Sequence, residues 1–187
     1  MDPVTLGMAK ADAKKKYAKP VRWTDGNTFR VQNRGSAYAV GFDEVAGLGY
    51  FATTGLYSST NNTSLTTLTL PPSVSSGADV GKVVRFGANV YCIAKDSSGF
   101  VKVFRSAPAA PDVSWTAVLT TAGNDKIGPA FNKSTWSTGT NYLFHVEYGD
   151  PSGGPKGYRS ADGTTWETVL TQDSSLRHYH AIAADPY

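Results

Sequence analysis

Short apolar or alternating segments, separated by Gly, Asn, Asp and Pro, recur along most of the chain. Short segments in which apolar and polar residues alternate, bounded by turn residues, are typical of β-strands in an antiparallel arrangement. Thirteen such segments predict strands at residues 28–32, 37–42, 49–54, 66–70, 83–86, 90–94, 101–105, 115–119, 128–131, 142–148, 156–159, 166–170 and 180–184. No helical period competes with them after residue 20, so the pattern predicts an all-β meander and excludes a parallel α/β fold.

Residues 1–19 follow a different pattern, in which apolar side chains recur at helical spacing and lysines fall largely on the other side. Pro3 suits the first turn of a helix, and Pro20 ends it. We expect a short amphipathic helix that is marginal alone and packs on another surface. A partly frayed basic tail is the alternative. The expected contacts of the helix are Leu6, Met8, Ala13 and Tyr17.

The stretch 158–170 reads Tyr-Arg-Ser-Ala-Asp-Gly-Thr-Thr-Trp-Glu-Thr-Val-Leu and predicts a β-hairpin with a tight turn. Asp162 is expected to accept backbone N–H groups within the turn, and Ser160 to add its hydroxyl. Trp166 is expected to cover the loop with its ring. We interpret Ser160, Asp162, Gly163 and Trp166 as a structural lock of the turn, with no catalytic role.

The hairpin recurs in weaker form earlier in the chain. Residues 57–59 and 104–106 align with residues 158–160, which gives intervals of 47 and 54 residues. A period of about 40–50 residues with four strands is typical of a β-propeller blade. In the earliest copy Asn61 and Leu65 stand where Asp162 and Trp166 stand, and in the middle copy residues 107–114 form a Pro-containing insertion before Trp115.

The segment Ser160-Ala161-Asp162-Gly163-Thr164-Thr165-Trp166 resembles the Asp-box, or BNR repeat, of sialidase-like β-propellers, with one residue fewer between Asp and Trp. The resemblance implies four-stranded antiparallel blades in which this turn joins the third and fourth strands, away from the active site. It covers about three blades. Residues 177–187 look like the innermost strand of a next blade. A closed ring needs at least four blades, so we expect residues 20–187 to be the N-terminal part of a longer propeller.

Residues 2–13, Asp-Pro-Val-Thr-Leu-Gly-Met-Ala-Lys-Ala-Asp-Ala, are similar to the N-terminus of bacteriophage tail-fibre and minor tail proteins. This resemblance implies that residues 1–19 anchor a virion structural protein to other phage tail proteins, after synthesis in the host cytoplasm. It also favours a homo-oligomer that presents its propeller toward host-surface carbohydrate. The alternative is a glycan-binding or glycan-cleaving sialidase-like enzyme, a glycoside hydrolase. A secreted adhesin would need a signal peptide, which Met1-Asp2-Pro3 does not resemble.

Composition and charge limit the classes of partner that this chain is expected to bind. The 187 residues carry a net charge of +3, but five lysines lie within the first twenty residues, so the remainder is close to neutral and no nucleic-acid surface is indicated. No apolar run approaches the roughly 20 residues of a membrane span. Aromatic residues make up 12% and charged residues 18% of the chain, and 19 glycines accompany them, which is typical of a turn-rich β protein.

Few residues in the sequence suggest a catalytic or metal-binding site. Glu147, in Phe-His-Val-Glu-Tyr, is the carboxylate best placed for a central cleft, although a hydrogen-bonded strand residue is the simpler interpretation. His178 and His180 would share one face of a strand, but no third metal ligand accompanies them. Cys92 lies in an apolar run and is expected to be a buried small hydrophobe. We therefore expect a structural rather than an enzymatic role, with no metal and no cofactor.

Overall fold

The computed structural model describes residues 21–22, 28–29, 38–43, 46–60, 64–107, 110–124, 136–137, 142–147 and 153–173. The predicted helix within residues 1–19 and the predicted strands 128–131 and 180–184 lie outside these residues. The strands are β1 Val21–Arg22, β2 Thr28–Phe29, β3 Tyr38–Asp43, β4 Leu48–Ala52, β5 Leu56–Ser59, β6 Thr66–Leu68, β7 Val80–Phe86, β8 Asn89–Lys95, β9 Phe100–Ala107, β10 Ala110–Asn124, β11 Trp136–Ser137, β12 Leu143–Val146, β13 Lys156–Ser160 and β14 Glu167–Thr171. A 3₁₀ helix spans Gly77–Asp79.

The chain divides into two compact units, Met1–Gln32 and Asn33–Tyr187. In the first unit β1 and β2 pair antiparallel, with Val21 opposite Phe29. The second unit contains three four-stranded sheets, each built from consecutive strands. We call them sheet I (β3–β6), sheet II (β7–β10) and sheet III (β11–β14). All their pairings are antiparallel, so the described part of the chain is mostly β-sheet, as predicted.

The sheets stack side by side in chain order. The first strand of sheet I lies beside the first strand of sheet II, and β7 in turn lies beside β11. The fourth strands β6 and β10 also meet. The approach of β3 to β7 is so close that a β-carbon on Gly41 would lie 1.8 Å from the carbonyl oxygen of Val83. Only glycine leaves room for this backbone contact.

The interface between sheets I and II is a continuous apolar cluster. Sheet I contributes Tyr50 and Leu56, and sheet II contributes Cys92 and Phe104 among others. Trp115 also belongs to this cluster, and its indole Nε1 donates a hydrogen bond of 2.8 Å to the carbonyl oxygen of Thr69, directly after β6. The ring therefore both buries apolar area and ties the fourth strand of sheet II to the end of sheet I.

A second apolar cluster joins sheet II to sheet III. Tyr91, Ile93 and Val103 of sheet II pack there with Leu143 of sheet III, and Trp166 lies against them. Successive residues of β8 thus face opposite clusters: Cys92 packs toward sheet I, whereas Tyr91 and Ile93 pack toward sheet III. Sheet II is buried on both faces, which is why residues 90–94 form a continuous apolar run in the sequence.

Several strand assignments differ from the sequence prediction, and the short strands β1 and β11 were not predicted. Strand β5 was missed because two of its four residues are serines, Ser58 and Ser59, yet both are buried. Strand β10 begins at Ala110, earlier than predicted, and its register jumps from Ala110 opposite Ala107 to Trp115 opposite Ser106. Residues 111–114 are therefore extra residues on β10, which agrees with the expected insertion in this copy of the hairpin. Strand β7 begins at Val80, three residues earlier than predicted, because Val80 is buried in the cluster between sheets I and II.

Candidate functional site

Side-chain hydrogen bonds from Ser160, Asp162 and Thr165 hold the turn between β13 and β14. Oδ1 of Asp162 accepts the backbone N–H groups of Thr164 and Thr165, each at 2.7 Å. Its Oδ2 accepts the hydroxyl of Thr165 at 2.8 Å. Ser160 Oγ donates to Asp162 Oδ1 at 3.0 Å and accepts the N–H of Gly163 at 2.8 Å. One carboxylate and one hydroxyl therefore satisfy the donors of this turn.

The hydrogen bonds keep Asp162 ionised. The backbone N–H groups of Thr165 and Thr164, followed by the Thr165 hydroxyl, hold the pKa of this carboxyl well below its usual range. Each of these donors stabilises the charged form over the protonated acid. Because its carboxylate oxygens already accept hydrogen bonds inside the turn, Asp162 is suited to fixing the backbone and not to proton transfer.

The turn also docks on sheet II. Gly163 has φ +73°, a left-handed conformation that favours glycine. A β-carbon at Gly163 would lie 1.8 Å from the hydroxyl oxygen of Tyr91. Trp166, at the end of the turn, packs on the cluster that contains Tyr91. The structure thus brings Ser160, Asp162, Gly163 and Trp166 together at the contact between sheets II and III.

Equivalent positions recur in the other sheets. The aligned triplets 57–59, 104–106 and 158–160 lie on β5, β9 and β13, the third strand of each sheet. Their last residues, Ser59, Ser106 and Ser160, are all buried. Trp115 and Trp166 follow at corresponding places, and each packs in the cluster that joins its sheet to the preceding one. The sequence repeat is therefore also a structural repeat.

A second polar cluster lies on β12 and β13 of sheet III. Glu147 is 1% exposed; its Oε2 accepts the backbone N–H of Lys156 at 2.7 Å, and its Oε1 accepts the hydroxyl of Tyr158 at 2.9 Å. His145, opposite Tyr158 in the strand register, stacks on the Tyr158 ring with centroids 6.3 Å apart. Glu147 is thus a buried structural acceptor, the simpler of the two interpretations of this carboxylate.

Burial shifts the pKa values of the two ring partners in this cluster. It lowers the pKa of His145 to about 4, so the imidazole is neutral at physiological pH. Burial, followed by the nearby charge of Glu147 and the hydrogen bond to it, raises the pKa of the Tyr158 hydroxyl well above its usual value. The sequence marked Tyr158 as the start of the repeated triplet 158–160 but gave no sign of its contacts with His145 and Glu147. The signal for the other two residues was the alternation of polar positions 145 and 147 in an otherwise apolar strand.

The remaining well-defined ion pairs also fix structure. Asp43 at the end of β3 forms an ion pair of 2.6 Å with Arg85 Nε of β7, which joins sheets I and II. Asp43 also accepts the backbone N–H of Ala46 at 3.0 Å. Beside this pair, burial followed by the charge of Asp43 raises the pKa of Tyr50 to about 12. Asp96 binds Lys102 Nζ at 2.7 Å in the β8–β9 hairpin.

Asp96 also organises its own hairpin. Its Oδ1 accepts the N–H groups of Ser98 and Phe100 at 2.9 and 3.0 Å. Burial alone would raise the pKa of this carboxyl, but the hydrogen bonds from Lys102, Phe100 and Ser98 together outweigh burial and lower it. Asp96 thus acts on the second hairpin of sheet II as Asp162 acts on its turn in sheet III.

The other candidates from the sequence do not form a site. Cys92 is fully buried, and burial raises the pKa of its thiol, so it is an inert core residue. His178 and His180, and the expected anchoring residues Leu6, Met8, Ala13 and Tyr17, lie outside the described residues. Among the residues that are described, no three His, Cys, Asp or Glu side chains are grouped to hold a metal ion. Within the same part of the chain, no helix has the length and apolarity to cross a membrane.

No protein-family model, curated protein or solved structure matches this chain.

The close contact at Gly163 can be tested by Gly163→Ala. We expect this change to lower the free energy of unfolding by about 2–5 kcal/mol, because it adds both left-handed strain and a clash with Tyr91. Gly87→Ala is the matched control, since Gly87 also has a positive φ of +59° but open space around its β-carbon. Urea unfolding of both variants measures the difference. Equal losses for the two variants would show that the turn does not press on sheet II.

The burial of His145 predicts a specific acid sensitivity. A free histidine titrates near pH 6.5, whereas His145 titrates at about pH 4 in the folded protein. The unfolded chain therefore binds the proton first, so this contribution to stability is complete above pH 6.5 and is lost as the pH falls toward 4. By linkage, the loss between pH 7 and pH 5 is about 2 kcal/mol. We expect His145→Phe to remove that part of the pH dependence in urea unfolding; an unchanged dependence would contradict a neutral, buried imidazole.

Proposed function

We propose that this chain is a virion structural protein, a phage tail component that is anchored by residues 1–19 and presents a β-propeller. Two lines of support come from different parts of the chain. The N-terminal segment is similar to that of tail-fibre and minor tail proteins, and residues 160–166 resemble an Asp-box. The repeated sheets provide the body that such an anchor would hold.

The propeller part of the proposal is supported by the repeat in the second unit. Each sheet is a four-stranded antiparallel meander, which is the form of a propeller blade. Successive first strands lie side by side, as the innermost strands of neighbouring blades do. The Asp162 turn joins the third and fourth strands of its sheet, which is the position of an Asp-box. Sheets I, II and III would then be three consecutive blades, and closure of the ring is part of the proposal.

The observation that favours a structural role over an enzymatic one is the state of Glu147. A glycosidase carboxylate must reach the sugar, but Glu147 is buried and bound by Lys156 N–H and the Tyr158 hydroxyl. The same contact is the one feature that favours the rival function, because a tyrosine paired with a glutamate can act as a glycosidase nucleophile. However, the pKa of Tyr158 is raised, and an activated nucleophile requires the opposite shift.

Host-surface carbohydrate is the proposed target of the exposed loops. Ser, Thr, Asn and aromatic residues are frequent throughout the chain and suit adaptable contacts with sugars. One short helix gives little binding energy, so several copies in one particle would strengthen both attachment to the tail and contact with the host.

The anchor is tested by incorporation into tail particles. We expect Leu6→Asp with Tyr17→Asp to prevent incorporation, because charges would replace the apolar contacts of the helix. Lys15→Gln with Lys19→Gln is the matched control, since at about 3.6 residues per turn these two lysines would lie on the side of the expected helix opposite Leu6 and Tyr17. Incorporation is measured by quantifying the protein in purified particles. Normal incorporation of the Asp variant would contradict the anchor.

The rival function is distinguished by a separate assay. The isolated protein is incubated with sialylated and other host-surface glycans, and released sugar is measured for the wild type and for Glu147→Gln. We expect no release from either protein. Release by the wild type that is lost in Glu147→Gln would replace the structural role with a glycoside hydrolase.

A further inference from the structure

The packing of sheets I, II and III defines two faces for every sheet. We call the face toward the next sheet in chain order the front face, and the face toward the preceding sheet the back face. On the second strand, Tyr50 of sheet I and Tyr91 of sheet II occupy equivalent places, opposite Ser58 and Arg105. Both tyrosines are fully buried by the next sheet. In sheet III the equivalent residue, opposite Arg159, is Phe144.

Sheet III repeats this front face but leaves part of it exposed. On the fourth strand, Leu68 of sheet I pairs with Leu56 and is 5% exposed. Its counterpart in sheet III, Leu170, pairs with Gly157 and is 44% exposed. Tyr142, whose ring lies 6.1 Å from that of Phe144, is also exposed. We define the front patch as Tyr142, Phe144 and Leu170.

The back face of sheet I is the complementary surface. Trp115 and Trp166 pack on the sheet that precedes their own. Leu65 stands at the aligned place in sheet I, and its side chain is 45% exposed. Phe51 and Tyr57 are opposite each other and, by alternation with the buried Tyr50, lie on the same back face. We define the back patch as Phe51, Tyr57 and Leu65.

The exposed apolar side chains are concentrated on these two patches. Four large hydrophobic residues are exposed in the part of the chain that the structure describes, and three of them belong to a patch: Leu65, Tyr142 and Leu170. Only Phe100 lies elsewhere, at the start of β9. Exposed apolar groups at the two ends of a stack whose internal contacts use the same positions indicate that the stack continues.

The charges on the two faces are compatible with this continuation. At the contact between sheets II and III, Arg105 and Asp162 both act on the Tyr91 hydroxyl, so a front-face arginine lies close to the turn of the next sheet. Arg159 occupies the Arg105 position in sheet III and lies over the Tyr142 ring at 5.0 Å. Glu167 binds Arg159, which leaves no uncompensated charge on this pair when a partner covers it.

We propose that the front patch of one copy docks on the back patch of a second copy, which continues the face-to-face stacking of sheets I, II and III. The contact joins different surfaces, so it either closes into a ring or propagates. Two copies with three sheets each give six sheets, a number within the usual range of closed propellers. The docking itself rests on the sheet packing, and only the closed six-sheet ring rests on the propeller part of the proposed function.

The test is the mass of the full chain in solution, measured by light scattering over a range of concentrations. We expect the wild type to have twice the 19.9 kDa mass of one chain. Leu170→Lys and Leu65→Lys should each raise the dissociation constant at least roughly tenfold, because each places a charge in an apolar contact. Phe100→Lys is the matched control, since it replaces a similarly exposed side chain outside both patches and should leave the dissociation constant unchanged.

Mixing the two damaged variants identifies the geometry. In a mixed pair, the intact front patch of Leu65→Lys meets the intact back patch of Leu170→Lys, so association should recover relative to either variant alone. A wild type of 19.9 kDa at every concentration would overturn the proposal. So would an association that Leu65→Lys leaves unaffected, or one that Phe100→Lys weakens as much as Leu170→Lys. A natural polypeptide longer than this chain that stays monomeric would assign the front patch to further sheets of the same chain.

Circular dichroism and thermal unfolding of each variant establish that it is folded, which the exposed positions of Leu65, Phe100 and Leu170 favour. Failure of the dimer would leave the tail-anchoring experiment unaffected, because that experiment changes only residues 6, 15, 17 and 19.

Discussion

Burial of sheet II on both faces is the constraint on which the rest of the second unit depends. Its strand β8 sends Cys92 into one apolar cluster and Tyr91 into the other, so the two clusters share a backbone. The free energy gained from the hydrophobic effect is proportional to the apolar area removed from water. A central sheet buries such area on both of its faces. Sheets I and III pack closely on the two faces of sheet II, with Gly41 against Val83 on one face and Gly163 against Tyr91 on the other.

The polar groups of the described sheets serve this stacking. Trp115 donates to Thr69 across one interface, and Asp43 binds Arg85 across the same one. Asp162 fixes the turn that presses on the other interface. Buried polar groups are costly unless they are hydrogen-bonded, so a carboxylate that closes a turn or a loop removes that cost and specifies the backbone at once. This use of carboxylates supports the structural role that we propose.

Sequence patterns predicted the all-β class and most strands of the second unit, because alternation and turn residues are local signals. The Asp162 turn was visible for the same reason, since all its hydrogen bonds lie within six residues. Strand β5 was hidden because burial of Ser58 and Ser59 depends on neighbouring sheets. The contact of Tyr158 with Glu147 was equally hidden, since it depends on the pairing of β12 with β13 across a loop. The two patches became recognisable only after the strand registers had identified equivalent residues.

Hydrogen exchange of individual backbone amides tests the two-sided burial of sheet II most directly. Amides in the core of a stack exchange only when the whole unit unfolds, whereas edge strands open locally. We expect the slowest amides to lie in β8, between Val90 and Ala94, and those of β14 to exchange much faster because its side chains are largely exposed. Exchange of β8 as fast as that of β14 would contradict the stacked arrangement of the three sheets.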